Sequence, residues 1–123
     1  MRIKLSNEIG KWAYVNYAYF KGYAARLGKH YAIFVTQSVY NGRLEWDLRR
    51  MPNHKIIRRR QVQLGTDLTV PPSVHVRRAM QEAIETAAKY LAQEYEAVSE
   101  ASHGLELLKQ NGQPEFQDAT ESR

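Results

Sequence analysis

The 123-residue sequence contains no cysteine, which excludes disulfide bonds, thiolate metal ligands and a cysteine nucleophile. Long apolar runs are also missing, because no segment approaches the roughly 20 apolar residues that a membrane span needs. Residues 1–5 are not followed by a continuous apolar segment, so the sequence predicts no signal peptide. We therefore expect a cytoplasmic protein that has no contact with a membrane.

Recognisable catalytic and cofactor motifs are absent too. The histidines show neither HxH nor HExxH spacing, and there is no GxGxxG or GxxxxGK phosphate loop. Glu45 and Asp47 lie on one predicted strand, but two-metal phosphoryl chemistry needs carboxylates that converge from several elements. The first 60 residues offer only one other acid, Glu8. We therefore predict that the protein is not an enzyme and holds no cofactor or metal.

Charge is unevenly distributed along the chain. Residues 1–60 contain 13 Lys or Arg and 3 Asp or Glu, whereas residues 61–123 contain 5 and 10, and the formal net charge is +5. A basic half and an acidic half in one domain would steer an anionic partner to one side. The alternative interpretation is that the two halves only attract each other.

Residues 30–51 predict two antiparallel strands joined by Asn41-Gly42. Asn-Gly between alternating apolar runs favours a two-residue turn, because both central residues of a type I′ turn need positive φ. This turn places Tyr40 opposite Arg43. The alternation then assigns a core face to Tyr31, Ile33, Val35, Val39, Leu44, Trp46 and Leu48. The other face is polar and mildly basic, with His30, Phe34, Thr36, Ser38, Tyr40, Arg43, Glu45, Asp47 and Arg49.

Further strands are predicted on either side of this hairpin. Residues 2–5 suit a short edge strand. The aromatic segment 11–27 favours a strand, although a helical spacing of its aromatic residues is also available. Residues 55–64 predict an edge strand, in which the consecutive arginines 58–60 must place at least one side chain on each face unless a bulge intervenes.

Ser73 is a suitable N-cap for one long helix that runs from Val74 to about Ala101. At 1.5 Å per residue this helix would be about 40 Å long, which exceeds the roughly 30 Å width of a small domain. We expect its far end to project, to bend near Ser99 or to pack on a second copy. Its apolar stripe consists of Val76, Met80, Ala83, Ile84, Ala87, Leu91, Tyr95 and Val98.

These elements predict an α+β fold, in which an antiparallel sheet of about four to five strands is packed on one face by a long C-terminal α-helix. We expect residues 1–109 to form a single domain. His103-Gly104 suggests a helix stop, and the polar residues 110–123 predict a disordered tail.

The basic and aromatic surface of the sheet is the best candidate site. Cations neutralise phosphates, and flat rings stack on bases at about 1–3 kcal/mol per base, so this combination binds single strands with little sequence preference. We predict a small nucleic-acid-binding protein for single-stranded DNA or RNA. Its predicted site has Phe34 and Tyr40 for stacking, with Arg43, Arg49, Lys55, Arg58, Arg59 and Arg60 for phosphates. The alternative is that the N-terminal aromatic segment covers both rings and that Arg43 and Arg49 pair with Glu45 and Asp47.

The start of the predicted helix adds a second basic cluster. His75, Arg77 and Arg78 lie near its first turn, where the helix dipole disfavours positive charge and welcomes an anion. These residues predict a phosphate contact. The alternative is modest surface frustration, in which Arg78 reaches Glu82 one turn on.

A competing hypothesis is a protein–protein interaction module, such as a small regulator or inhibitor encoded by a phage or mobile element. In that case the aromatic segment 12–23 is the contact surface, and the basic face meets an acidic partner. A homodimer through the C-terminal helix is a further expectation.

Overall fold

The structure is a computed structural model, and it describes residues 8–17, 19–38, 42–62, 72–92 and 98–114. Five strands form one antiparallel sheet in chain order: β1 (Ala13–Tyr17), β2 (Phe20–Arg26), β3 (Tyr31–Ser38), β4 (Leu44–Arg50) and β5 (Lys55–Val62). Two helices follow, α1 (Pro72–Leu91) and α2 (Val98–Asn111). The predicted α+β class is confirmed. The predicted strand at residues 2–5 lies outside the described residues.

The two helices pack on one face of the sheet. This face carries the alternating apolar side chains of β3 and β4, all buried: Tyr31, Ile33, Val35, Leu44, Trp46 and Leu48. The predicted core face is thus confirmed for the residues that the structure describes, which do not include Val39. The apolar stripe of α1 meets it with Ala79, Met80, Ala83, Ile84, Ala87 and Leu91. Each large apolar side chain buried here contributes about 1.5–3 kcal/mol, so this layer holds α1 on the sheet.

The β3–β4 turn is longer than the Asn-Gly pair predicts. The Ser38 N–H donates to the Arg43 carbonyl at 2.9 Å, and the Gly42 N–H donates to the Ser38 carbonyl at 3.0 Å. Gly42 has φ 70°, in the left-handed region that favours glycine. Val35 consequently opposes Trp46, a shift of two residues, and the predicted two-residue turn is wrong. Because side chains alternate with a period of two, the paired residues 31–37 and 44–50 keep their predicted faces.

The aromatic segment 11–27 forms two strands rather than one. β1 and β2 pair antiparallel, with Ala13 opposite Ala24 and Tyr17 opposite Phe20. The connection between them contains no glycine, proline or asparagine, which are the residues that normally mark a turn. A pattern that depends on those residues therefore predicts a single strand here.

The predicted long helix is two helices. α1 ends at Leu91 and α2 begins at Val98, and the residues between 92 and 98 lie outside the described part of the chain. Gln113 Nε2 donates to the Arg77 carbonyl at 3.3 Å, so the residues that follow α2 lie beside the second turn of α1 and the helices run antiparallel. The described residues therefore contain no single 40 Å helix, and the homodimer through the C-terminal helix stays a prediction.

α2 packs closely on the segments that flank β1 and β2. A Cβ added at Gly104 would lie 1.8 Å from the Leu27 carbonyl oxygen, so Gly104 permits a close approach inside α2 and is not a helix stop. Asn111 Nδ2 donates to the Gly10 carbonyl at 2.6 Å. The helix thus continues past residue 110, where the polar tail was predicted to begin, and residues 115–123 lie outside the described part.

Candidate nucleic-acid interface

β5 is one edge of the sheet, and its exposed side chains include four cations, Lys55, Arg58, Arg59 and Arg60, which we call the cationic edge. A bulge interrupts the β4–β5 pairing between Leu48 and Arg49. After it, Arg58 and Arg60 oppose the core residues Leu48 and Trp46 and therefore lie on the helix face, whereas Arg59 lies on the other face. The predicted division of the three arginines between both faces is confirmed.

Arg60 is tied to α1 through Glu82. Its Nη1 lies 3.1 Å from Glu82 Oε1, and the same oxygen accepts a hydrogen bond from Trp46 Nε1 at 3.2 Å. Glu82 thus anchors α1 on β4 and offsets part of the Arg60 charge. On the other face Arg59 lies 3.8 Å from Glu45, with half of the Arg59 side chain exposed, so this ion pair is weak.

Arg58 lies at one end of a column of rings and guanidinium groups. Its Cζ is 5.1 Å from the ring centroid of Tyr90, and the rings of Tyr90 and Tyr31 form a T-shaped pair at 6.5 Å. At the far end Arg50 donates to the Tyr31 hydroxyl at 3.0 Å. Cation–π attraction acts within about 6 Å. Arg58 Nη1 also donates to the Ile57 carbonyl at 2.9 Å, so both a ring and a hydrogen bond orient this guanidinium.

Lys55 completes the positive surface at the start of β5. It lies directly opposite Arg50, and like charges opposite each other destabilise a strand pair. No carboxylate of the described residues lies within ion-pair distance of Lys55 or Arg58. Lys55 and Arg58 are therefore less neutralised by neighbouring carboxylates than Arg59 and Arg60 are, and they can attract an external anion more strongly.

The opposite face of the sheet does not offer Phe34 to solvent. Phe34 is 0% exposed and belongs to a small second cluster, with Val15, Ala24, Ala32 and Met51. The Arg49 guanidinium lies over its ring, 4.1 Å from the centroid. Phe34 is therefore part of the core and unavailable for base stacking, so its predicted role is wrong. Tyr40, the other predicted stacking residue, lies outside the described residues.

Arg49 is held by buried partners. Its Nε and Nη2 donate to the two carboxylate oxygens of Asp47 at 2.6 and 3.1 Å, and Asp47 is 1% exposed. Its Nη1 lies 3.2 Å from His54 Nδ1, which must accept because a guanidinium only donates. The alternative that Arg49 pairs with Asp47 is observed, and a phosphate would have to compete with that carboxylate.

The remaining predicted cations lie on other elements than β5. Arg43 is exposed beside the β3–β4 turn. Arg77 and Arg78 are exposed near the start of α1, whose first turn contains no acid. Arg78 precedes Glu82 by four residues, so it lies on the side of α1 that faces Arg60. His75 Nδ1 is buried without a hydrogen-bond partner among the described residues and therefore does not face solvent as an anion ligand.

Arg58, Tyr90, Tyr31 and Arg50 form the ring column, and only Arg58 is predicted as a site residue from the sequence. The Glu82 carboxylate beside the column is not predicted as part of the site either. The sequence places Tyr31 on the core face, assigns Arg50 and Tyr90 to no site, and offers Glu82 only as an ion-pair partner of Arg78. The residue types alone could not identify them, because their meeting depends on the β4–β5 register and on how α1 lies across the sheet. The run of three arginines in β5 did indicate the correct strand.

The described residues contain no group of three or more His, Asp or Glu that could hold a metal ion. Their helices include none that is long and apolar enough to cross a membrane. Comparison with protein-family models, curated proteins and solved structures finds no match to this chain. The function must therefore be inferred from the residues of this chain.

Proposed function

We propose that this protein binds single-stranded nucleic acid along the cationic edge. The observation that carries the proposal is the exposed series of Lys55, Arg58, Arg59 and Arg60 on one edge strand, two of which have no carboxylate partner among the described residues. A polyphosphate backbone that meets such a row releases its condensed counterions, and this release drives association.

The position of the cations favours a single strand over a duplex. Because β5 presents cations on both faces of one edge, a flexible backbone can follow it while its unpaired bases turn toward the ring column at Tyr90 and Arg58. A duplex keeps its bases stacked inside and offers only phosphates to the same surface.

The test is a titration with fluorescent single-stranded and duplex oligonucleotides at 50 and 200 mM salt. We expect the single strand to bind more tightly and to lose affinity with salt, with a log–log slope of about −0.7 for each phosphate neutralised. Lys55→Glu should weaken binding about tenfold or more. Lys21→Glu is the matched control, since it makes the same change of net charge at an exposed position on β2 and should have little effect. Absence of binding at low salt would refute the proposal.

A protein–protein interaction module is the second candidate, because two tyrosines at the other edge of the sheet are open to solvent. Tyr14 is 57% and Tyr19 50% exposed, and no charged residue occurs between positions 12 and 20. Trp12, in contrast, is 6% exposed and belongs to the core, so only part of the predicted contact segment 12–23 is available. Burial, with a smaller contribution from Tyr14, raises the pKa of the neighbouring Tyr23 hydroxyl.

The two candidates differ in which edge they use. Replacing Tyr14 and Tyr19 together by Ala should leave oligonucleotide affinity unchanged if nucleic acid is the ligand of the cationic edge. Loss of a co-purifying acidic protein in the same double variant, with no oligonucleotide binding by the wild type, would favour the second candidate.

A further inference from the structure

We infer that Arg58 is a base-stacking residue of this surface: an unpaired base packs on the solvent side of its guanidinium, whose Cζ lies over the Tyr90 ring at 5.1 Å. The inference rests on the proposed function and replaces the stacking role that was predicted for Phe34. In this arrangement the bases contact a planar cation, in addition to the phosphate contacts of the proposed function.

Arg58 is held by Tyr90 and the Ile57 carbonyl and is also exposed to solvent. Its Cζ lies over the Tyr90 ring at 5.1 Å, its Nη1 donates to the Ile57 carbonyl, and the residue is exposed. A guanidinium is a planar, delocalised and weakly hydrated cation that stacks on flat rings, and bases splayed out of single strands stack on such planes as well as on aromatic side chains. Because the protein already orients this guanidinium, stacking of a base on it costs little further side-chain entropy.

The second argument comes from the neighbours of Arg58. Arg60 is engaged by Glu82 and Arg59 by Glu45, and in neither case does an aromatic ring of the described residues lie beneath the guanidinium. Lys55 opposes Arg50 and Arg58 opposes Leu48, so Lys55 lies on the same face as Arg58 and can meet the adjoining phosphate. A base on Arg58 and a phosphate on Lys55 thus form one nucleotide-sized contact.

The experiment compares two single strands of equal length, one with bases and one built of abasic sites, against wild type, Arg58→Lys and Arg59→Lys. Lysine keeps the positive charge and removes the plane. We expect wild type to bind the base-bearing strand at least about fivefold more tightly than the abasic strand. Arg58→Lys should remove most of that ratio and leave the affinity for the abasic strand nearly unchanged, whereas Arg59→Lys should preserve the ratio.

Each outcome decides a separate point. Equal affinity of wild type for both strands would overturn the stacking inference but leave the phosphate-binding proposal standing. A parallel weakening of both strands in Arg58→Lys would also overturn it, since only charge geometry would then matter. If neither strand binds at low salt, both proposals fall. Thermal unfolding of the two variants checks that these exposed substitutions leave the fold intact.

Discussion

At the scale of single residues, Arg49 and Arg59 show how position decides what a guanidinium does. Both project from the same face of the sheet, and Arg59 lies directly opposite Asp47. Arg49 nevertheless takes both oxygens of the buried Asp47, while Arg59 reaches only Glu45 at 3.8 Å and stays half exposed. One arginine is therefore part of the fold, and the other belongs to the surface.

This difference predicts unequal costs of removing the two acids. Asp47→Asn should lower the free energy of unfolding by about 2–4 kcal/mol, because it leaves the Arg49 charge over Phe34 without its buried counterion. Glu45→Gln is the control, and it should change stability by less than about 1 kcal/mol since its ion pair is long and half exposed. Urea denaturation followed by tryptophan fluorescence measures both values, and equal effects would contradict this account of Arg49.

Residue types alone could not separate these cases. The alternation of side chains along β3 and β4 correctly places Phe34 and Arg49 on the face away from the helices. A side chain on that face can nevertheless be buried, as Phe34 is. Phe34 is covered because a cation–π contact from Arg49 and the small residues Ala24 and Ala32 close around it. Such a second, smaller core needs the cross-strand register before it can be recognised.

At the scale of elements, the docking of α2 depends on a backbone approach that only glycine allows. The Leu27 carbonyl faces Gly104, and an added Cβ would lie 1.8 Å from its oxygen and 2.4 Å from its carbon. Rigid backbone atoms, rather than a flexible side-chain end, occupy the space. Helix α2 must therefore move away from the sheet if any side chain is introduced here.

Gly104→Ala should consequently destabilise the protein. In a helix interior this change normally gains up to about 1 kcal/mol, whereas overpacking against the Leu27 backbone should cost about 1–3 kcal/mol. His103→Ala, an exposed position in the same helix, is the control and should be neutral or slightly stabilising. Thermal unfolding compares the two, and a higher midpoint for Gly104→Ala would refute the close approach.

The elements themselves were predictable where hydrophobic periodicity was strong. The stripe from Met80 to Leu91 and the alternation of β3 and β4 are determined by burial on one face, and both are found. The β1–β2 turn was not predictable, because it contains no glycine, proline or asparagine pattern that marks a chain reversal. The break between α1 and α2 lacks that pattern too, so only the excessive length of a single helix indicated a bend, near Ser99. Gly104 suggested a stop, but tertiary packing places it inside a helix.

At the scale of the whole molecule, the acidic helical half partly neutralises the basic sheet half. Glu82 on α1 reaches Arg60 on β5, so the attraction between the two halves uses a charge that the proposed binding of an anion would also need. At the Arg60–Glu82 contact, we expect a change that strengthens anion binding to weaken the attachment of α1 to the sheet.

Glu82→Gln should therefore strengthen binding of a single-stranded oligonucleotide at low salt by about two- to fivefold, the range of a surface ion pair. The amide oxygen still accepts the hydrogen bond from Trp46 Nε1, so the fold is retained. Glu85→Gln removes one negative charge from the same helix, at an exposed residue that bonds only to Gln81 among the described residues, and should change affinity little. Equal gains in both variants would indicate that net charge alone controls binding.

The position of the cations on an outermost strand also bears on how copies of the protein behave toward one another. An edge strand presents a row of backbone N–H and C=O groups that another sheet can join, and charged side chains along it discourage that pairing. The same four cations that would attract a polyanion thus also keep neighbouring molecules apart. If a bound nucleic-acid strand cancelled their charge, as the proposed function implies, that repulsion would fall. The tendency of the protein to self-associate would then depend on how much ligand is bound along this one strand of eight residues.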